Sequence, residues 1–316
     1  MYEFKIKLKL FIKKIFNKFG LQVSRVPYNG KSSSALTKIK VGNYHILING
    51  NHNLPFYMRS PFYSTNLPRL ATCVKDKYEN LTMVDVGANI GDTVAFCRSK
   101  SDFPIVCIEG DDDFYSILQT NLASFKNVSS FKCLLGEVNS SIDGVLKKND
   151  GSLETARIIN TIFEGKKNQL NIITLDSFFV SNPQFKGAKL LKIDTDGYDL
   201  KIIRGGLEYI KQTKPVLFFE YDTVFLAEQG DDGVSTLLTL EGFGYKDAIF
   251  YDNGGRFVVS IDLHNHLQLR QLHNLIDKNY RSPFPFYDIV LFHEDDADIA
   301  RKFISSEMKF FYNIDV

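Results

Sequence analysis

Residues 84–96 read VDVGANIGDTVAF. An apolar run ends at Gly87, a turn passes through Asn89 to Gly91, and a helix-like run follows. Strand, glycine turn and helix form the first unit of a doubly wound sheet, which binds ligands at the carboxyl ends of its strands, near the first crossover. Gly87 lets backbone approach a ligand, and Gly91 lets the helix start close to the strand. The helix N-terminus adds free N–H groups.

The turn departs from the dinucleotide fingerprint G-x-G-x-x-G. Asn89 stands where the second glycine would admit a pyrophosphate, which argues against NAD. Asp85, just before the turn, would repel a pyrophosphate. It suits a cationic ligand such as the sulfonium and amino group of S-adenosylmethionine. Glu109 closes the next apolar run, PIVCIEG, where a carboxylate can accept hydrogen bonds from both ribose hydroxyls. D-x-G-x-x-x-G followed by this glutamate favours S-adenosylmethionine. The bland alternative is a tight turn with no ligand.

Outward from the turn, the chain alternates. Strands are expected at TMVDVG, PIVCIEG, VSSFKCLL, near 170–175, and at KLLKID, KPVLFFEYD, YKDAIFYD and FYDIVLFH, with helices at 91–100, 112–124, 198–211 and 233–242. Short β-rich runs separated by helical patterns predict a mostly parallel sheet covered on both faces. Residues 138–169 and 252–285 read as insertions in a main domain spanning 81–316. Residues 41–80 read as an N-terminal cap, behind a basic segment and linker at 1–40.

A second acidic group follows. Asp194 and Asp196 end the strand of LLKIDTDG, and Glu220 and Asp222 end that of VLFFEYD. Residues i and i+2 share a strand face, so neighbouring strands would bring up to four carboxylates beside the turn. That suits a general base for a substrate hydroxyl, with Asp194, Asp196 and Glu220 as catalytic candidates. It also suits a divalent ion such as Mg²⁺ on Asp194, Asp196, Glu220 and Asp222. Each acid alone is more often a cap, and Asp196 is placed to cap the helix from Gly197. His293 ends the last strand and is a candidate to face the site. His264, His266 and His273 lie on a polar insertion. No G-x-S-x-G, Walker or H-E-x-x-H pattern occurs.

Composition agrees with a globular protein. Of 316 residues, 44% are hydrophobic and 24% charged. The net charge of +1 hides a basic tail: residues 1–40 hold ten Lys or Arg and one acid, leaving 28 basic and 36 acidic residues in the body. No basic patch suggests a nucleic-acid partner. The cysteines, Cys73, Cys97, Cys107 and Cys133, form no C-x-x-C and read as reduced core thiols of a cytoplasmic protein. No uninterrupted apolar run can span a bilayer, and lysines break up the N-terminus where a secretory signal would need an apolar region. In the tail, Leu8, Phe11, Ile12, Ile15 and Phe19 form one helix face, with Lys9, Lys13, Lys14 and Lys18 off it. A basic amphipathic helix over residues 4–19 is expected either on the inner face of an anionic membrane or docked on protein, including a second copy in a homo-oligomer.

Taken together, VDVGANIGDT, CIEGDDDFYSILQTN, TLDSFF, LLKIDTDGYDLKIIRGG and VLFFEYD resemble the FkbM family of S-adenosylmethionine-dependent methyltransferases, over about residues 55–293. The resemblance implies a class I methyltransferase fold, α/β and Rossmann-like, with seven strands of which the last is antiparallel. It implies O-methylation of a hydroxyl, often on a sugar in a glycan, glycolipid or natural product. By motif, Asp85, Gly87, Ala88, Asn89, Gly91 and Asp92 would wrap the methionine part of the cofactor. Glu109 and Gly110 would face the ribose, Leu135 and Gly136 would border the adenine, and Asp194 would lie by the methyl group as the base. Two positions depart from the family: Asp196 stands where Glu is usual, and Gly110 where Pro is usual. The acceptor is expected to be a small molecule or a lipid-linked saccharide, with NYRSPFPFYD in the second insertion as a saccharide-lining stretch. The competing functions are a D-x-D metal-dependent glycosyltransferase on IDTD, a non-catalytic binding module of the same fold and, weakest, an NAD-dependent oxidoreductase.

Overall fold

The structure is a computed structural model, and it describes residues 35–50, 52–147, 157–159, 168–195, 197–277 and 284–315. The tail helix expected at 4–19 and Asp196 lie outside the described residues.

Eight strands build the main sheet: Met83–Val86 (β1), Ile105–Glu109 (β2), Val128–Lys132 (β3), Leu190–Ile193 (β4), Val216–Tyr221 (β5), Tyr245–Asp252 (β6), Phe257–Asp262 (β7) and Tyr287–His293 (β8). Their spatial order is β7-β6-β8-β5-β4-β1-β2-β3. From β3 to β5 neighbours run parallel, while β8 is antiparallel to both β5 and β6. This is the expected class I methyltransferase architecture with one correction: the sheet has eight strands, not seven. The eighth, β7, comes from the stretch read as an insertion and pairs antiparallel with β6 at the sheet edge.

The central strands are apolar on both faces because both are covered. Val84, Val86, Leu191, Ile193, Leu217 and Phe219 meet the helices Leu175–Ser181, Asp199–Arg204, Leu207–Thr213 and Val234–Gly242. The alternate residues Met83, Leu190, Val216, Phe218 and Val290 meet the helices Asn66–Lys77 and Ala297–Tyr312 on the other face. That second face is closed by a buried charge group: Glu307, wholly enclosed, accepts two bonds from Arg69 at 2.6 and 2.7 Å and one from the Tyr251 hydroxyl at 2.9 Å.

Two expected elements divide. VSSFKCLL is two strands: β3 stays in the main sheet, and Leu134–Gly136 pairs parallel with Asn168–Thr174 in a four-stranded sheet that includes Ser140–Lys147 and Arg157–Ile159. The helix expected over 198–211 breaks at Gly205 and Gly206. A β-carbon at Gly205 would lie 2.2 Å from the Gly136 carbonyl oxygen, so this glycine lets the small sheet seat against the helix pair.

The antiparallel hairpin Leu36–Val41/Tyr44–Asn49 packs over the helices Asp92–Arg98 and Asp112–Leu122, with Val41, Ile46, Leu54, Ile90, Ala95 and Ile117 forming its core. Asn121, nearly buried, bridges it to the glycine turn: its amide donates to the Leu47 and Ile90 carbonyls at 2.9 and 2.8 Å, and its oxygen accepts from the Leu47 N–H at 2.7 Å. All four cysteines are free, three of them buried.

Candidate active site

The turn after β1 is left-handed at three positions, Gly87 (φ +76°), Asn89 (φ +49°) and Gly91 (φ +85°). Asparagine tolerates such backbone better than most residues. Gly87 is required twice over, because a β-carbon there would fall 1.8 Å from the Asp194 carbonyl oxygen at the end of β4. The Gly87 and Ala88 N–H groups donate to the Ile108 carbonyl at 2.9 and 3.1 Å, and the Asp194 N–H donates to Val86 at 3.0 Å. The turn is thereby pinned to β2 and β4 together.

Glu109 adds a third pin. Its two carboxylate oxygens accept from the N–H groups of Asn89 and Asp111, each at 2.8 Å. Burial pushes the Glu109 carboxyl up, opposed by those N–H groups. The cap fixes the other side of Asn89: the Asn89 side-chain oxygen lies 3.2 Å from His52 Nε2, while His52 Nδ1 accepts from the Leu54 N–H at 3.1 Å. With Nδ1 accepting, Nε2 carries the proton and donates to Asn89.

A cleft of about 530 Å³ opens above this turn. Gly87, Asn89, Lys192, Asp194, Glu220 and Asp288 lie on its floor, and Tyr57, Tyr63, Asn66, Phe225 and Phe286 also line it. Tyr57 and Tyr63 are stacked, centroids 5.4 Å apart. The floor follows from strand register. Asp85, Lys192, Phe218 and Val290 are successive partners across β1, β4, β5 and β8. Two residues further along, on the same face, come Gly87, Asp194, Glu220 and Asp288, with Glu220 and Asp288 directly paired.

Lys192 organises these acids. Its ammonium, almost wholly buried, lies 2.9 Å from Asp85 and 3.4 Å from Asp194, and donates to the Gly87 carbonyl at 3.5 Å. Burial works against its charge, but Asp85 and Asp194 overcome it and hold the amine protonated well above its ordinary range. Burial pushes the Asp85 carboxyl up, and Lys192 pulls it back. Asp288 accepts from the Asn66 amide at 3.4 Å, and burial reinforced by the Asp194 charge raises it to about 8. Some of its surface still opens to the cleft.

Measured against the sequence, Gly87, Asn89, Asp92, Asp194, Glu220 and Asp222 line the cleft. Asp85 does not: it is fully buried beneath the floor, with Lys192 as its counter-ion. Ala88 is also buried, and Gly91 serves as the N-cap position of the next helix, its Cα facing Leu118. Gly110 faces Leu134, which a β-carbon would approach to 2.2 Å. Leu135 packs in the core, and Gly136 is pressed against Ile172, so neither is on the wall of this cleft. Asp222 caps the helix Thr223–Glu228, its oxygen accepting from Val224 and Phe225 at 2.7 and 3.3 Å. The helix expected from Gly197 starts at Asp199, whose carboxylate closes the turn by accepting from the Gly197 N–H at 3.2 Å.

Of the four acids expected to hold a metal, Asp196 lies outside the described residues. Among the described residues, the acids of the cleft do not converge to ligand distance, and a lysine ammonium already sits between Asp85 and Asp194. The group that does converge is His293, Glu294 and Asp295. There, His293 Nδ1 accepts from the Asp295 N–H at 3.0 Å and Nε2 lies 2.9 Å from the Phe243 carbonyl, so both ring nitrogens are committed. His293 is buried and lies outside the cleft lining, contrary to the sequence expectation.

Sequence reasoning passed over Lys192, Asp288, Asn66 and His52. The first two had a signal: a lone charge inside an apolar strand, LLKI and YDIVLF.

No curated protein matches the sequence. Among solved structures, methyltransferase FkbM from Methylobacillus flagellatus KT aligns at 17% identity over 68% of this chain and 44% of its own length, with a TM-score of 0.34. This chain therefore spans less than half of that protein. The Methanococcus jannaschii fibrillarin pre-rRNA processing protein aligns at 10% identity over 85% and 88%, TM-score 0.36. The Pyrococcus abyssi tRNA (uracil-54, C5)-methyltransferase, in complex with S-adenosyl-L-homocysteine, aligns at 10% identity over 81% and 43%, TM-score 0.34. At such scores these likenesses carry no weight for fold or substrate. The model of the methyltransferase FkbM domain matches residues 85–246, just over half of the 316 and inclusive of the glycine turn, Lys192 and the β4 and β5 acids. The chain belongs to the FkbM methyltransferase family.

Proposed function

We propose that the cleft binds S-adenosylmethionine and methylates a hydroxyl, on a saccharide of a glycan, glycolipid or natural product. The observation that carries this reading is one row of residues. Gly87, Asp194, Glu220 and Asp288 bring an open backbone turn and three carboxylates onto one floor. A turn without a second glycine disfavours a pyrophosphate, and carboxylates favour a cation. The cofactor, when bound, supplies an electrophilic methyl group on a sulfonium.

This chain's residues do the rest. The turn, pinned by Glu109 and His52, holds one end of the site rigid, so that reacting groups meet in a fixed geometry. Lys192 keeps the acids from repelling one another apart. A carboxylate of the row takes the acceptor's proton as the bond to oxygen forms. Tyr57, Tyr63 and Phe286 offer faces on which a sugar ring stacks. Among the described residues no helix is long and apolar enough to cross a membrane. Contact of residues 4–19 with an anionic membrane surface remains a separate proposal, tested by vesicle partition of the chain with and without residues 1–20.

The first test is thermal unfolding with S-adenosylhomocysteine, with NAD and with a UDP-sugar plus manganese. Ligand at a hundred times its dissociation constant adds about 2.7 kcal/mol, or about 4 °C of Tm in a chain of this length. A shift with S-adenosylhomocysteine alone supports the reading. A shift with the UDP-sugar instead replaces it by the glycosyltransferase, and no shift at all favours the binding module.

A further inference from the structure

We infer that Asp288, rather than Asp194, takes the proton of the acceptor hydroxyl, and that the positive charge of the bound cofactor ionises it beforehand. The inference rests on the methyltransferase reading and goes beyond it by assigning the base to a residue of the last strand.

Three observations carry it. First, place: Asp288 lines the same cleft as Gly87 and Asn89, paired in register with Glu220 and held by the Asn66 amide at 3.4 Å. Second, contrast with its rival. Asp194 is paired to the Lys192 ammonium at 3.4 Å and its side chain is 49% exposed, so it is both neutralised and hydrated. Third, surroundings. The groups acting on Asp288 are Lys192 and Asp194 from β4, Asp252 from β6 and the Asn66 amide of the cap helix, with Glu220 of β5 its partner across the strand register. Acids outnumber the one ammonium, and Lys192 is already shared between Asp85 and Asp194. Asp288 therefore stays largely protonated at neutral pH in the empty cleft, in keeping with its rise to about 8. An added cation tips it to the carboxylate, releasing one proton to solvent.

The step balances. Asp288 carboxylate takes the hydroxyl proton. The acceptor oxygen forms its bond to the methyl carbon, the sulfur–carbon bond breaks with its electron pair going to sulfur, and neutral S-adenosylhomocysteine remains beside a neutral aspartic acid. Loss of the sulfonium charge removes the reason for ionisation, so the proton stays until the next cofactor binds. The cleft thus holds an active base only when methyl donor is present.

The test needs no acceptor. S-adenosylmethionine and S-adenosylhomocysteine are titrated calorimetrically into the full chain, in two buffers of different ionisation enthalpy, from pH 6 to 9, with wild type, Asp288→Asn and Asp194→Asn. Wild type should release more protons with S-adenosylmethionine than Asp288→Asn does, with the excess largest below pH 8, fading above it, and absent for S-adenosylhomocysteine. Asp194→Asn removes a negative neighbour, so its excess should move to lower pH. An excess that survives in Asp288→Asn, or no excess in wild type while both ligands bind, overturns the inference and leaves the methyltransferase reading standing. Failure of both ligands to bind overturns that reading and this inference with it. If Asp288→Asn does not fold, wild type alone decides: affinity for S-adenosylmethionine relative to S-adenosylhomocysteine should rise with pH, by at most tenfold per unit, and level off above about 8. A ratio flat across that range refutes it.

Discussion

Replacing Lys192 by methionine keeps the length and apolar body of the side chain and removes its charge. The ammonium lies 2.9 Å from Asp85, with 5% of the lysine side chain and none of the aspartate exposed. Asp85 would then be a buried carboxylate without a counter-ion, and breaking a buried pair from one side costs about 3–5 kcal/mol. In a chain of this length that is a fall in Tm of about 5–8 °C. Asp194, half exposed, is rehydrated and contributes little. The loss should depend on pH. Without Lys192 the folded-state pKa of Asp85 rises further above its unfolded value of about 3.9. Stability is then fully present below that unfolded value and is lost as pH rises through the folded one, by up to about 1.4 kcal/mol per unit. Lys192→Met should therefore be close to wild type near pH 4 and far below it at pH 8. Asp85→Asn with Lys192→Met removes both charges and should recover most of the loss, giving a coupling of about 3 kcal/mol. Urea unfolding of wild type, both single variants and the double variant at three pH values measures all of this. A single variant costing under 1 kcal/mol at pH 8, or a cost that does not change with pH, would show that the pair does not organise the floor.

Other expectations follow from the same geometry. Gly87→Ala should abolish S-adenosylhomocysteine binding and lower Tm, because its β-carbon meets the Asp194 carbonyl at 1.8 Å at a φ of +76°; a variant that binds like wild type would mean the cofactor does not lie on this turn. Glu109→Gln turns one acceptor into a donor facing a backbone N–H and should cost about 1–3 kcal/mol, with weaker S-adenosylhomocysteine binding by calorimetry. For Asp288, burial raises the carboxyl to about 8 in the folded state, so wild type loses stability as pH climbs from about 4 to 8. Asp288→Asn should flatten that slope in pH-dependent thermal unfolding, and an unchanged slope would place the titration elsewhere.

The fold was legible where local chemistry dictates it. Gly87 and Gly91 end a strand and start a helix, and the apolar runs at 105–109, 190–193 and 216–221 admit only strands buried on both faces. Two elements were misjudged for tertiary reasons. VSSFKCLL is continuous in pattern, and only the pull of Asn168–Thr174 on Leu134–Gly136 takes it into a second sheet. The helix after β4 breaks at Gly205 because Gly136 backbone must pass there, a contact no periodicity reveals.

The site was half legible, and Asp288 and Lys192 were missed for two different reasons. In a parallel sheet ligand-facing residues gather at the carboxyl ends of strands, and that rule finds Gly87, Asp194 and Glu220 on the cleft, with Glu109 behind its turn. β8 runs the other way. Its carboxyl end, His293, pairs with Tyr245 at the start of β6, where it is buried and outside the cleft lining. Its amino end, Tyr287–Asp288, therefore stands level with the carboxyl ends of β4 and β5. The same reversal that takes His293 away from the cleft brings Asp288 into it. Lys192 was overlooked for a complementary reason. Nothing in LLKI says which partner its lysine meets; the register sets it beside Asp85, so two charges are buried as a pair. In this sheet Lys192 and Asp288, charges inside apolar strands, join the strand-end acids Asp194, Glu220 and Asp222 in lining the cleft, because a charge stays buried only where it finds a partner or a proton.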